Sequence, residues 1–421
     1  RVLEEFLRPP VIYVKKEFLE QVESIKDRIP AHTVEEEEKK PSFIMEFHNL
    51  KDREKACAVL TDNAIHYRTG KTLVPFRLTG NIDWGVPAPE REGVDGLTFW
   101  VWPESLWAPI SFTRAYLEKQ GRDAEEWKKW WCSPDAGAYQ FIGEDNIYFY
   151  GLAEMAMFMA TQGKNPSVHP DPGQLQLPSL VANSHILFLN KKASSSGKVK
   201  PPMAEDLLEY YTPEQLRAHF LGLGLGIRSV SFQPKPLNPK AGGRDGDPVL
   251  KEGNLLTNVL NRLARSCFYT SQKYYDGRIP EGEISDSVLQ ESRETILEYE
   301  RRMYRYEFHN VMSLMDTYIR NANKYWASGM KEVQDKDDSD LRMQIVVDAF
   351  HMLRTSIVLM HPIAPEGTEM IRDYLNFGKE FWDWSRIFDT VYDFVDQPEG
   401  HKLKTLEPRV DFFSKHPSQL K

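Results

Sequence analysis

Lysines and hydroxyls crowd one short stretch of this sequence. Leu189–Pro202 reads LNKKASSSGKVKPP, with Lys191, Lys192 and Lys198 set around Ala193, Ser194, Ser195, Ser196 and Gly197. Cations on a small-residue, flexible backbone can meet a polyphosphate whose charge grows as a bond breaks. The same residues describe a plain surface linker with solvated lysines. The loop by itself leaves both readings open.

Carboxylates come next. Tyr139–Tyr150 reads YQFIGEDNIYFY, a strand over Tyr139–Ile142, a glycine turn, and then Glu144 and Asp145 opening a helix. Acids there complement the helix dipole, or face a ligand at the carboxyl end of a strand. Further on, Asn261 and Arg265 stand four apart in a helical pattern and share one face. They read as a surface hydrogen bond, or as an amide and a fork-shaped cation for unstacked RNA bases. Gly222, Gly224 and Gly226 have the wrong spacing for a dinucleotide loop. Cys57, Cys132 and Cys267 are isolated, with no zinc-knuckle or disulfide spacing, so neither zinc nor any other metal site is expected and a reducing cytoplasm is.

The elements that must position these groups change character along the chain. Arg1–Ala31 is predicted mostly helical, broken at Pro9 and Pro10. Val34–Lys40 (VEEEEKK) reads as a solvated helix turn or loop. A Phe43–Phe47 strand, a helix near Asp52–Leu60 and a strand region over Ala64–Leu78 follow. Leu97–Trp102 (LTFWVW) predicts a buried strand, and Glu118–Trp131 a helix ending in the packing cluster WKKWW. Ser184–Leu189 is a strand feeding the lysine loop, and Met203–Leu223 is helical. Phe232–Pro248 holds four prolines and three glycines, the clearest predicted boundary. Beyond it the period becomes 3.6. Leu256, Leu260, Leu263 and Cys267 form one stripe, Ser287–Ser328 and Leu341–Met360 two long helices, and Pro365–Leu375 a shorter one, predicting an antiparallel bundle.

The chain has 421 residues, 41% of them hydrophobic, with 53 basic and 62 acidic side chains and a net charge of −9. A nucleic-acid partner must therefore be met by a local basic patch. No apolar run of about 18 residues and no leader pattern is seen, so no membrane partner is expected. The sequence opens at Arg1 in mid-pattern, which suggests a fragment.

The order of these stretches resembles the methionyl-tRNA synthetases, class I aminoacyl-tRNA synthetases, and among them the archaeal and eukaryotic type. LTGNIDWGVPAP is similar to T-R-D-L-x-W-G-x-P-V-P; WKKWW and YQFIGEDNIYFYG to the tryptophan-rich helix and F-I-G-K-D-N-I-P-F-H; ANSHILFLNKKASSSGK to the strand and K-M-S-K-S loop; NLLTNVLNRLAR to the first anticodon-domain helix. The likeness runs from about Leu78 to the C-terminus.

It implies α/β plus all-α architecture: the second half of a parallel-sheet, Rossmann-like nucleotide-binding domain, then an antiparallel helical-bundle anticodon-binding domain. The expected division is 1–77, a remnant of the inserted α+β connective region; 78–232, the half-domain with its lysine loop; 233–248, a linker; and 249–421, the bundle. The implied activity is ATP-dependent amino-acid activation and transfer to tRNA, with ATP and Mg2+ as cofactors, an amino acid and tRNA as partners, and no DNA. Lys192, Ser194, Ser196 and Lys198 fall on the catalytic loop, where Ser195 replaces the second lysine. Trp102, Glu104, Asp145 and Tyr150 fall on the amino-acid pocket, and Asn261 and Arg265 on the anticodon-reading pair. Tyr150 replaces a His, Leu106 a Pro, Pro109 a Tyr, Glu104 an Asp and Glu144 a Lys. The H-I-G-H half has no counterpart, so a separately supplied N-terminal half is a further expected partner. Two other readings follow from these departures: a paralogue that activates a different amino acid for a small-molecule pathway, and a non-catalytic tRNA-binding module.

Overall fold

β-Branched residues in alternation set the first sheet. Val11–Lys15 (β1) buries Ile12 and Val14 and exposes Lys15, and pairs antiparallel with Ser42–Phe47 (β3) and Tyr67–Thr69 (β4), while β3 also pairs with His32–Glu35 (β2). The sheet order is β2-β3-β1-β4. In this computed structural model the described residues are 9–36, 38, 40–70, 79–80, 84–89, 96–192, 200–243, 246–395 and 401–420. The expected helix over Arg1–Ala31 is corrected: within its described part only Leu19–Ser24 (α1) is α-helical, because the VIYVK alternation buries more as a strand. The acidic run begins on the exposed edge strand β2, where charge blunts an open edge. Leu50–Asp62 (α2) starts at Asn49, whose Oδ1 accepts the Asp52 N–H at 2.9 Å. Its Ala56 and Leu60 join Phe43, Met45 and Phe47 in a small core.

Thr79–Gly80 (β5) and Thr98–Phe99 (β6) form a short antiparallel pair. The buried strand expected over Leu97–Trp102 is also corrected. Phe99 and Val101 are exposed, and Val101–Lys119 (α3) starts within that stretch. Pro103 sits in the first turn of α3, where its missing N–H costs nothing. The helix expected over Glu118–Trp131 is two pieces, since Gly121 at φ +68° turns the chain before Trp127–Trp131 (α4). Tyr139–Gly143 (β7) then runs parallel to Ser179–Asn183 (β8) in exact register, Tyr139 opposite Ser179 and Gly143 opposite Asn183. Between them lie a π-helical turn, Phe149–Glu154, and Met155–Ala160 (α5).

The chain divides into two units, Arg1–Asn183 and Ser184–Lys421. The second contains the Pro- and Gly-rich 233–248 segment. Tyr211 Oη donates to Asp247 Oδ2 at 2.6 Å, while Asp247 Oδ1 accepts the Val249 N–H. These bonds fix the end of the segment. The second unit opens on Ile186–Phe188 (β9), Lys191–Lys192 (β10) and Val230–Phe232 (β11), ordered β10-β9-β11 with β9 and β11 parallel. Ala204–Leu208 (α6) and Pro213–Gly222 (α7) replace the single predicted helix; Thr212 and Gln215 form a capping box and Pro213 is at N1.

Among the described residues the remaining α-helices are Leu250–Asn254 (α8), Asn261–Tyr274 (α9), which a π-helical turn over Leu255–Leu260 joins to α8, Asp286–Tyr304 (α10), Phe308–Lys336 (α11), Ser339–Met360 (α12) and Pro365–Leu375 (α13). The expected Ser287–Ser328 helix is broken by Tyr306 at φ +57°. Every residue of α12 from Ile345 to Met360 is buried. Among the described helices it has the length and apolarity to cross a membrane, yet its surface is spent inside the bundle. Its buried Asp348 accepts from Ser285 N at 2.8 Å, Ser285 Oγ at 2.7 Å and Gln344 Nε2 at 3.2 Å, and from Tyr325 Oη. Asp348→Ala strands those donors, so a loss of about 3 kcal/mol is expected in urea unfolding at unchanged m value. A midpoint within error of the wild type would refute the role given to this carboxylate.

Candidate functional site

In the first unit, the crossover from β7 builds an aromatic site. Gly143 ends the strand, and a Cβ there would lie 2.7 Å from Asp145 Oδ1. The absent side chain is what allows the Asp145 carboxylate to fold back over the strand end. Phe149, in the π-helical turn, stacks on Trp102 with ring centroids 4.0 Å apart and planes 6° apart, and meets Trp100 edge-on at 6.1 Å. Trp102 is thus brought against the segment that carries Tyr150. Glu104 is exposed in the first turn of α3, and Asp145 is exposed beyond Gly143. Beside β7 an apolar groove of about 720 Å³ is lined by Phe112, Tyr116, Trp130, Trp131, Tyr139 and Gln140.

Sequence reasoning missed the group behind that groove. Glu154 is fully buried, and Gln140 Nε2 donates to its Oε1 at 2.9 Å. Glu154 Oε2 and Gln140 Oε1 are buried without partners. Burial pushes the Glu154 carboxyl up to about 7, against the lowering pull of the Gln140 bond. The available signal was one acid inside the apolar run LAEMAMFMA, one helical turn after Tyr150. π-Helical turns of this kind recur at functional sites.

In the second unit, a two-residue turn launches the lysine loop. Leu189 and Asn190 lie at φ +48° and +67° between β9 and β10, the paired left-handed conformations of the commonest hairpin turn. Leucine is costly there, and β11 holds the turn in place. Leu189 N donates to Phe232 O at 3.1 Å, Asn190 N to Ser231 Oγ at 3.0 Å, and Gln233 Nε2 to Asn190 Oδ1 at 3.2 Å. A cleft of about 630 Å³ beside it is lined by Asn190, Lys191, Gln233, Lys235 and Lys240. The backbone of Lys192 pairs with Leu187. Its side chain, and Ser194, Ser196 and Lys198 entirely, lie outside the described residues.

Asn261 and Arg265 do share a face of α9, and both are engaged by the C-terminal segment. Asn261 is fully buried. Its Nδ2 donates to Phe413 O at 2.9 Å and to Thr257 O at 2.9 Å, and its Oδ1 accepts the Phe413 N–H at 3.0 Å. Arg265 Nη1 donates to Asp411 Oδ1 at 2.6 Å.

Residues 40–238 match the family described as tRNA synthetases class I (M). The chain is 25% identical over 337 residues to the methionine–tRNA ligase of Thermobifida fusca, covering 78% of this chain and 53% of that protein. It is 28% identical over 326 residues to the methionine–tRNA ligase of Sulfurisphaera tokodaii, covering 74% and 52%. The chain therefore spans about half the length of these curated relatives. In fold it resembles Mycobacterium tuberculosis methionyl-tRNA synthetase in complex with methionyl-adenylate, with a TM-score of 0.60 at 18% identity over 95% of this chain and 66% of that one. A second structure of the same enzyme, bound by methionyl-adenylate, gives 0.59 at 18% identity over 86% and 63%.

The buried acid makes a pH test. A folded pKa of about 7 stands above the ordinary glutamate value of 4.5, so the native state holds this proton more tightly than the unfolded chain. Below about pH 4.5 both states are protonated and the stabilisation is complete. Between 4.5 and 7 the unfolded chain ionises first, and up to roughly 3 kcal/mol is lost. Urea midpoints of the wild type should fall across that window, and Glu154→Gln should flatten the fall. An identical slope in the variant would assign the effect to other groups.

Proposed function

For this methionyl-tRNA synthetase-like chain, we propose a role in ATP-dependent activation of an amino acid and its transfer to tRNA. The observation that carries it is the match over residues 40–238, which spans both the β7 crossover and the hairpin that launches the lysine loop. In the first step a carboxylate oxygen of the amino acid attacks the α-phosphorus of ATP, the P–O bond to the β,γ-phosphates breaks, and pyrophosphate leaves. In the second a tRNA terminal hydroxyl attacks the adenylate carbonyl and AMP leaves. Lys192 and Lys198, on the loop, stabilise the charge that grows on the departing pyrophosphate, with Ser194 and Ser196 as hydroxyl donors. Lys191, exposed on the same hairpin, adds a cation. Mg2+ travels with the nucleotide, and its chemistry is to neutralise phosphate charge.

On the amino-acid side, Trp102 stacked on Phe149 walls the pocket, with Tyr150, Asp145 and Glu104 as its polar groups. Asn261 and Arg265 belong to the tRNA face of the bundle. An N-terminal nucleotide-binding half completes the ATP site.

One observation favours a second reading. Glu154, one turn from Tyr150, and Gln140, bonded to it from β7, leave two buried oxygens without partners, and a site built to hold a thioether chain has no use for them. A paralogue that activates an amino acid with a hydrogen-bond-donating side chain does.

Pyrophosphate exchange into ATP across an amino-acid panel, on the protein from its full reading frame, decides between the two. Methionine-dependent exchange, lowered about 10²–10³-fold by Lys192→Ala, is the expected result. Exchange with a different amino acid moves the assignment to the paralogue, and none with any amino acid overturns both.

A further inference from the structure

The residues that sequence reasoning assigns to RNA are joined to a strap. Four side chains on one stripe of α9 bind the main chain or side chains of residues 406–413. Gln272 exchanges two bonds with Leu406, its Nε2 donating to the carbonyl at 3.4 Å and its Oε1 accepting the N–H at 3.3 Å. Tyr269 Oη donates to Glu407 O at 3.1 Å. Arg265 pairs with Asp411, and Asn261 exchanges two bonds with Phe413. Positions 261, 265, 269 and 272 follow the helical period, so the strap runs antiparallel along one face.

The strap is seated by packing as well. Phe412 and Phe413 are buried, and Phe412 lies 5.5 Å from the Phe268 ring and 5.4 Å from Tyr374. At Gly367, on α13, a Cβ would come within 2.2 Å of the Phe413 ring, so the surface of α13 is hollowed where that ring sits.

This arrangement separates the two residues chemically. The Asn261 amide is fully buried, with its carbonyl and both hydrogens directed to protein atoms. An RNA base cannot reach it while the strap is seated. Arg265 is different. Its side chain is 32% exposed, and the bond to Asp411 uses Nη1 alone. That bond restrains the guanidinium and leaves its Nη2 and Nε edge, the one that bidentate recognition of a base or a phosphate uses, outside the contact with Asp411.

We infer that Asp411 is a positioning residue for RNA recognition: it orients the Arg265 fork, and Asn261 acts through it by clamping the strap at Phe413. The inference rests on the tRNA-binding role proposed above. It makes the strap part of the RNA face and makes Asn261 a support for that face.

Stem-loop RNAs that differ at single loop bases, titrated against the whole protein at several salt concentrations, test it. The wild type is expected to bind with salt dependence and to discriminate among loops. Asp411→Ala should weaken the preferred loop about tenfold and reduce the discrimination toward unity, with little change in thermal midpoint, since Asp411 is 44% exposed. Asp411→Asn, which keeps an acceptor oxygen, should fall between the two. Asn261→Ala should reproduce the loss of discrimination and also remove hydrogen-exchange protection from the Phe413 amide, a readout that needs no RNA. Equal or tighter binding by Asp411→Ala, in a wild type that does bind RNA, overturns the positioning role alone and makes Asp411 a mask over Arg265. Absence of any RNA binding by the wild type overturns the tRNA-binding role and the inference together.

Discussion

Helix α12 is apolar on nearly every face, and that single property constrains the second unit. A helix of this kind is stable in water only when enclosed. The elements around it must therefore close on all sides. Its few polar groups then dictate how they close. Asp348 collects the donors at the start of α10, and Arg354, buried and overlain by the Phe394 ring at 5.1 Å, donates to the carbonyls of Arg386 and Ile387 at 2.7 Å each. A buried cation without such acceptors would be far more costly than a leucine. Desolvation lowers the Arg354 guanidinium to about 10, still charged at neutral pH. The segment around 386–394 is thus folded onto the helix by electrostatics as much as by its own apolar residues.

The same enclosure sets the face that carries Asn261 and Arg265. α9 packs its Leu263, Ala264, Cys267 and Phe268 into the core that α12 fills, which leaves the Asn261–Arg265 stripe turned toward the strap. In the first unit the logic is different. There the site is made by a parallel strand pair and a π-helical turn, with Trp102, only partly buried, stacked on the buried Phe149. What marks it is an imbalance: an exposed aromatic groove in front, and a buried carboxyl with an unused oxygen behind. Hydrophobic burial positions one site, and a break in regular helix geometry positions the other.

Local chemistry made much of this legible. The apolar stripe of α9, the limits of α13 with Pro365 at N1, and the β7 strand with its glycine and acids all follow from spacing and turn chemistry within a dozen residues. The failures are where two local signals compete. Val11–Lys15 alternates, but it lies inside a window that also fits a helical period, and pairing with β3, some thirty residues on, decided it. Leu97–Trp102 has strand composition, yet Pro103 favours a helix start and the helix took Val101. The break at Tyr306 carries no Gly or Pro to announce it. Asn261 is the sharpest case. Its place on a helix face was readable, but its burial depends on a partner far along the chain, which no window reveals.

That distance has a consequence for the order in which the protein is made. Asn261 and Phe413 are 152 residues apart, so a ribosome moving from one to the other at about 5–20 residues per second needs roughly 8–30 s. During that interval the Asn261 amide keeps its bond to Thr257 but lacks both of its bonds to Phe413, and once α13 has been made, its hollow at Gly367 has no ring to fill it. The core helix α12 emerges before the strap does. The nascent bundle therefore passes through a stage in which its most apolar element is present but its seal is not, and that stage is where a holding chaperone would find its substrate.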